Sequence, residues 1–309
     1  VVRRIVGSRG GRTLFSDSLG ELVALSETDL TIATSGGTVR VPLDEVHRAK
    51  RVPPTRRPTA ADVIASEIAA NEAWPAPVQE RQGGWLLRAA GGWTGRANTA
   101  LPIGDPDRPL PAAVDAVEAW YRAHGLPPRM NIPLPLAAPV NAELDARGWS
   151  TAPLTLFQTA HVAAILETTP DRQDLPAVRV RDRMTEAWLT VAAARKGTPP
   201  EVARHVLTAV PEIAFLEVYG DDGTPIAITR ATVTGGGEWL GVSLVDVLPD
   251  HRRRGLGSHL VRAAALWGRE VGARRAFLQV EEHNTAGVAL YARLGFTTHH
   301  TYLTRTAPA

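Results

Sequence analysis

With 309 residues the chain is long enough for two or three compact domains, and its 44% hydrophobic and 21% charged content suits a soluble globular protein. No apolar run approaches the roughly 20 residues a membrane helix needs, and the absence of cysteine excludes disulfides and thiolate metal sites. A formal net charge of +2 does not imply wholesale nucleic-acid binding, and the N-terminus lacks the long apolar core of a signal peptide, so a cytoplasmic location is expected.

The first fifty or so residues read as short strands with period-two alternation: RRIVG, ELVALSET, LTIATSG and TVRVPLDEVHRA. Ser35–Thr38 (SGGT) reads as a tight hairpin turn, and the whole as a small β-barrel at residues 1–55. A proline- and arginine-rich connector, RVPPTRRPTAAD, follows, with a domain boundary near residue 55. Beyond it come a helix (TAADVIASEIAANEAW), strands (GGWLLRAAGG, GRANTALPIG), a helix (LPAAVDAVEAWYRAHG), a strand (PRMNIPL), a helix (APVNAELDARGW) and a strand (TAPLTLFQTAHV). After the linker ETTPDRQDLP the order recurs: strand AVRVRD, helices TEAWLTVAAARKG and PEVARHVLTAV, and strands IAFLEVYG, PIAITRATV and WLGVSLVDVLP. Helix GLGSHLVRAAALWGREVG, strand RAFLQVEE, helix TAGVALYARLGF and strand TTHHTYLTR complete the chain. The fold class is α+β, and the match of NAELDARGWSTAPLTLFQT to GVALYARLGFTTHHTYLTR indicates a duplicated fold.

The stretch VLPDHRRRGLGSHLVRAA places two glycines where a strand ends and a helix begins. Free amides at a helix N-terminus, with its dipole, bind phosphate, and glycine lets the ligand approach the backbone. The pattern is neither a GxxxxGK[ST] loop nor a complete dinucleotide fingerprint; it is RxxGxG, formed by Arg252, Gly255 and Gly257. With LVDVLPDHRRRGLGSHLV and LQVEEHNTAGVALYARLGF around it, this segment resembles the GNAT superfamily of acetyl-CoA-dependent N-acetyltransferases over about residues 178–305.

The resemblance implies a catalytic GNAT domain at residues 169–309, a mixed, mostly antiparallel sheet flanked by helices. In it the amides of Arg252, Arg253, Arg254, Gly255, Leu256, Gly257 and Ser258 cradle the CoA pyrophosphate. It further implies that Val245 and Val247 present backbone to pantetheine, the Val247 amide acting as oxyanion donor. By the same resemblance Asn284 hydrogen-bonds the pantetheine arm, and Tyr291, seven residues later, protonates the departing thiolate. The acceptor must attack as a neutral amine, so a proton acceptor is needed, and Asp246 and Glu281 rank narrowly ahead of Glu217 and Glu282. Histidines 251, 259, 283, 299 and 300 show no metal-ligand spacing, and no metal is expected.

The first copy, residues 56–168, carries ALPIGDPDRPLPAAVDAVEAW at the corresponding junction, with the two acids of DPD and four prolines where glycines and free amides are needed. It reads as a degenerate, GNAT-like domain that binds no cofactor and walls the acceptor cleft. Its GGWLLRAAGGWTGRANTALP segment holds Trp85, Arg88, Trp93, Arg96 and Asn98, side chains suited to an acceptor site or, equally, to plain packing. The layout also resembles actinobacterial GNAT proteins with an SH3-like N-terminal domain, some labelled N-acetylglutamate synthases. A glutamate acceptor would call for basic side chains such as Arg88, Arg96 and Arg230. The barrel is read as structural or homodimer-forming in preference to a nucleic-acid edge built from Arg3, Arg4, Arg9 and Arg12. The expected activity is acetyl transfer from acetyl-CoA to a small-molecule amine such as an amino acid. The alternatives are a protein amine as acceptor, or a CoA-sensing interaction protein without turnover.

Overall fold

The structure, a computed structural model, describes residues 1–34, 36–50 and 58–308. It divides into two compact units, Val1–Arg57 and Pro58–Ala309. Ser35 of the expected hairpin turn, and most of the proline-rich connector with the boundary near residue 55, lie outside the described residues.

The first unit contains β1 (Val2–Arg9), β2 (Arg12–Ser18), β3 (Glu21–Leu25), β4 (Asp29–Thr34), β5 (Gly37–Pro42) and β6 (Val46–Ala49). These strands form two separate three-stranded antiparallel sheets, β2-β1-β6 and β3-β4-β5, instead of the closed SH3-like barrel expected. Register shifts at Ile5/Gly7 in β1 and Leu22/Ala24 in β3 interrupt the alternation of faces. Among the unit's described residues only Val2, Leu30, Ile32 and Val41 are buried, while Val6, Leu14, Phe15, Leu22 and Val23 stay exposed. The expected strand through residues 38–49 is broken by a 3₁₀ turn at Leu43–Glu45, and β2 had no counterpart among the expected strands.

The second unit opens with α1 (Ala60–Ala73), started by a reciprocal capping box between Thr59 and Asp62. Next come β7 (Val78–Gln82), β8 (Trp85–Ala89), β9 (Leu101–Pro102), α2 (Leu110–Ala123), β10 (Arg129–Leu134), α3 (Ala138–Ala146), β11 (Ser150–Thr151) and β12 (Thr155–His161). After α4 (Val162–Thr168) and β13 (Arg179–Arg181) follow α5 (Glu186–Lys196), α6 (Glu201–Thr208), β14 (Glu212–Tyr219), β15 (Pro225–Thr234) and β16 (Trp239–Val247). The last elements are α7 (Leu256–Val271), β17 (Arg275–Glu281), α8 (Thr285–Arg293) and β18 (Thr297–Thr306). Among the described residues no helix is long and apolar enough to cross a membrane.

Among the described residues the main sheet runs β10-β18-β12-β17-β16-β15-β14-β13, with β11 paired to β18. Its centre shows how the two halves are joined. The last strand of the first half, β12, pairs with β17 of the second; the last strand of the second half, β18, pairs with β10 of the first. The two exchanged strands pair with each other. Each half thus completes the other's sheet, an interleaving that α3–β12 and α8–β18 share as equivalent helix-strand units.

Register assigns the faces, because residues opposite one another point the same way. One face carries Glu217, Ile228, Arg230 and Asp246, and on the neighbouring strands Gln279, Glu281, Thr155 and Tyr302. Helix α1 covers part of this face: Phe157, Trp239 and Phe277 pack under Ala69, Ala70 and Ala73. The α5–α6 pair covers another part through Trp188, Val191, Val206 and Leu207. On the opposite face α7 buries Leu260, Val261, Ala264 and Ala265 against Leu240, Val242 and Leu278.

Candidate active site

The site begins where β16 and β17 part. Their parallel pairing covers only Trp239–Gly241 against Arg275–Phe277. Beyond it, β16 stays with β15 through a bulge between Ile228 and Arg230, opposite which Leu244 takes a positive φ of 55°. The Leu248 amide donates to the Ile226 carbonyl at 2.9 Å. This makes Ile226–Leu248 a hydrogen-bonded pair, so in the alternating antiparallel ladder the peptide groups of Val247 turn away from β15, into the gap β17 has left. Val245 has the same parity. Their side chains meanwhile pack toward the α7 face, so these two valines supply backbone to the gap.

The chain then makes a short 3₁₀ turn at Pro249–His251 and reaches α7 through Arg253 (φ 61°) and Gly255 (φ 93°). Gly255 is the N-cap and no side chain caps the first turn, which leaves the amides at the start of α7 for a ligand. Arg252 donates from Nε to the Val247 carbonyl at 3.0 Å. Its signature position thus ties the loop to the end of the parted strand. Arg253 and Arg254 are exposed, Leu256 is buried, and Gly257 and Ser258 are half-buried. A Cβ at Gly257 would lie 3.1 Å from Leu290 Cδ2, so this glycine also seats α8 against α7.

Asn284 is the N-cap of α8, its Oδ1 accepting from the Gly287 amide at 3.0 Å, which leaves its NH₂ group for a ligand. Tyr291 is half-buried, edge-on to Phe296 at 5.9 Å, and packs on the same apolar cluster as Val245 and Val247.

The four carboxylates separate. Asp246 lies on the α5–α6 face of β16, and Glu281 ends β17 on the same face, exposed and 3.3 Å from His283. Both therefore flank the parted strands. Glu282 is exposed and its amide bonds the Leu154 carbonyl at 2.9 Å. Glu217 is 0% exposed and sits two strands away from the gap, across Ile228 from Asp246. It accepts from Thr185, the N-cap of α5, and from the Tyr219 hydroxyl at 3.1 Å, with Arg181 at 3.9 Å. These contacts make Glu217 an anchor of α5, set apart from the gap that Asp246 and Glu281 flank. Glu217→Gln is expected to cost about 1–3 kcal/mol in chemical denaturation while the pH dependence of turnover stays where it was. A shifted pH–rate profile in that variant would return Glu217 to the chemistry.

The expected acceptor residues divide in the same way. Asn98 uses its full amide capacity on its own loop, accepting from Ala90 and Gly92 and donating to the carbonyls of Trp93 and Thr94. It holds the loop and has no group left for a substrate. Arg230 is 1% exposed and donates to the carbonyls of Leu207 and Ala73, each at 2.9 Å. Arg88 is buried on Thr99, and Trp85 donates to the Gly104 carbonyl at 3.0 Å. Of the three arginines expected to meet the carboxylates of a glutamate acceptor, Arg230 is spent on backbone carbonyls and Arg88 on Thr99 and Asn71.

Trp93 and Arg96 remain. Trp93 stacks on Trp74 at 5.8 Å and packs against the same buried cluster as Leu244 and Leu248, which flank Val245–Val247 along the chain. Arg96 lies 5.5 Å over the Trp74 ring, close enough for its charge to act on Tyr302, whose hydroxyl donates to Gln279 at 3.4 Å. No local motif marks Trp74, Tyr302 or Gln279: strand exchange sets β18 across β12 from β17, and α1 packs over β12, β16 and β17 from a distant part of the chain.

In the first half the junction corresponding to the anion loop is occupied by its own chain. Gly84 donates to the Asp105 carbonyl at 2.5 Å, and a Cβ at Gly84 would lie 2.7 Å from Gly104 Cα. Pro109 caps α2 and Pro111 lies in its first turn, which removes amides that an anion would need. Of the flagged histidines, His300 bonds Glu67 at 2.8 Å and stacks on Phe157. Among the described residues no three potential ligands gather around a metal-sized space.

The parted strands and the loop leading into α7 define an acyltransferase of the GNAT type. The chain belongs to the family described as "Probable histone acetyltransferase Rv0428c C-terminal", matched by residues 60–304. It is similar to the "Probable histone acetyltransferase Rv0428c" of Mycobacterium tuberculosis, 30% identical over 300 residues, covering 94% of this chain and 89% of the relative. It is 28% identical over 242 residues to the Bacillus subtilis "Uncharacterized N-acetyltransferase YobR", covering 76% of this chain and 95% of that one. A solved "GCN5-related N-acetyltransferase from Kribbella flavida" shares the fold at a TM-score of 0.63 and 19% identity, covering 81% of this chain and 96% of that one. These names carry the acetyltransferase assignment without the SH3-like module or the N-acetylglutamate synthase label.

Proposed function

We propose that the chain transfers an acetyl group from acetyl-CoA to an amine by direct attack within a ternary complex. The observation that carries this reading is the gap between β16 and β17, into which the Val247 peptide turns beside the uncapped N-terminus of α7. The amides from Arg252 to Ser258 hold the pyrophosphate, and the NH₂ of Asn284 meets the pantetheine arm. The amine lone pair attacks the thioester carbon, and the Val247 amide donates to the oxygen as it becomes an oxyanion. The C–S bond then breaks, and Tyr291 supplies the proton taken up by the CoA thiolate. Asp246 or Glu281, directly or through water, takes the proton the amine gives up. Trp93 and Arg96 border the acceptor side.

The acceptor is a small-molecule amine such as an amino acid, held between that aromatic and cationic pair. A protein amine is the second reading, favoured by the histone acetyltransferase name of the Mycobacterium tuberculosis relative. Calorimetry and thermal shift with acetyl-CoA test the core of the proposal, and release of free CoA over amino acids, polyamines, aminoglycosides and lysine peptides tests the acceptor. Neither heat nor shift would sink acetyl-CoA use. Binding without turnover on any acceptor would favour a CoA-sensing protein.

A further inference from the structure

The connector between the two halves runs along α7. Arg262 donates to the Leu166 and Thr169 carbonyls at 3.1 and 2.7 Å, and the His259 ring meets the Pro176 carbonyl at 3.1 Å. Arg172 lies between those two anchors. A Cβ at Gly255 would lie only 2.9 Å from Arg172 Nη1, so the guanidinium rests against the residue that opens α7. Its Nε and Nη2 are occupied by the two oxygens of Asp174, each at 2.6 Å. The remaining nitrogen, Nη1, is the one beside the loop.

A cation in this position is electrostatically out of place. The N-terminus of α7 carries about half a positive charge, and Arg252, Arg253 and Arg254 precede it. Asp174 offers one carboxylate, 64% exposed, to the far edge of the guanidinium. A second anion at the loop would give Nη1 a partner and offset the repulsion, and a planar fork held on one edge by a carboxylate is set to donate from the other.

We propose that Arg172 is a phosphate ligand of the acetyl-CoA site, donating from Nη1 to the pyrophosphate while Asp174 positions it. The inference rests on the acetyl-CoA reading above. It adds to the family loop a residue from the connector, outside the RxxGxG segment.

The test is the dissociation constant, by calorimetry on the full chain, for acetyl-CoA, acetyl-dephospho-CoA and S-acetylpantetheine. R172A is expected to weaken acetyl-CoA and acetyl-dephospho-CoA about ten- to hundredfold and to leave S-acetylpantetheine, which has no pyrophosphate, unchanged. R172Q, of nearly the same shape, repeats the measurement should R172A fold poorly. Acetyl-CoA binding as tight as in the wild type overturns the inference, as does equal weakening of all three ligands. Loss confined to acetyl-CoA would move the contact to the 3′-phosphate and overturn the pyrophosphate assignment. Wild-type protein that binds no acetyl-CoA overturns the functional reading and this inference together, whereas wild-type binding indifferent to Arg172 overturns this inference alone.

Discussion

Tyr291→Phe is expected to lower kcat by about 10²–10³-fold, within the range a positioned general acid contributes, with the KM for acetyl-CoA little changed. The exchange isolates the hydroxyl: the ring packs on Phe296 and the cluster beneath α8, and phenylalanine keeps both contacts. The packing of the ring is thus preserved while turnover falls. A pH–rate profile carries the second half of the test. If the hydroxyl is the acid, the alkaline limb of the wild-type profile disappears in the variant, because the group whose deprotonation ends catalysis is gone. Unchanged turnover across the pH range with a working acceptor would show that Tyr291 only packs. The GNAT assignment would survive that result, since it rests on the family match and the fold.

Arg230→Ala should give the largest loss of stability of any single change discussed, about 3–5 kcal/mol. Its guanidinium closes the C-terminal ends of two helices, bonding Ala73 at the end of α1 and Leu207 in the last turn of α6, and it lies 5.3 Å over the Trp74 ring. Burial pushes its pKa down to about 9, a cost offset by the carbonyl dipoles of the helix ends, which point their negative poles at it. Truncation leaves those carbonyls without a donor in a dry interior and opens a cavity. Because Arg230 joins α1 of the first half to the α6 region of the second, denaturation should remain one cooperative transition at a lower midpoint. Destabilisation below 1 kcal/mol, or a raised KM for the acceptor without loss of stability, would restore the substrate role its charge suggests.

What could be read along the chain was whatever is local. The loop from Arg252 to Ser258 is contiguous, and its glycines sit at a strand-to-helix junction, so spacing places it. Asn284 and Tyr291 share one short helix, so seven residues of separation fix their relation. The prolines and acids of the first-half junction are visible along the chain, whereas the close approach of Gly83 and Gly84 to Gly104–Asp107 is visible only in the structure. Residue type was a weaker guide wherever burial decides. Glu217, Arg230 and Asn98 have the side chains of a site and serve as an anchor, a double helix cap and a loop clamp. Nothing within a few residues of them announces that their hydrogen-bonding groups are taken.

The sequence by itself determined the GNAT-like motif, the α+β order and the repeated helix-strand ending, since each depends on neighbours within one or two elements. Only the tertiary structure decided the exchange of β12 and β18. The pairings β10 with β18 and β12 with β17 join segments far apart in the chain, so packing rather than local pattern makes the choice. The same long-range packing sets Trp93 of the first half on the buried cluster that holds Phe215 and Ile228 of the second. It also carries Arg172 from the connector to the start of α7. The open N-terminal sheets have the same origin: alternation along a strand is visible in the sequence, but closure depends on pairings between strands that local pattern does not specify.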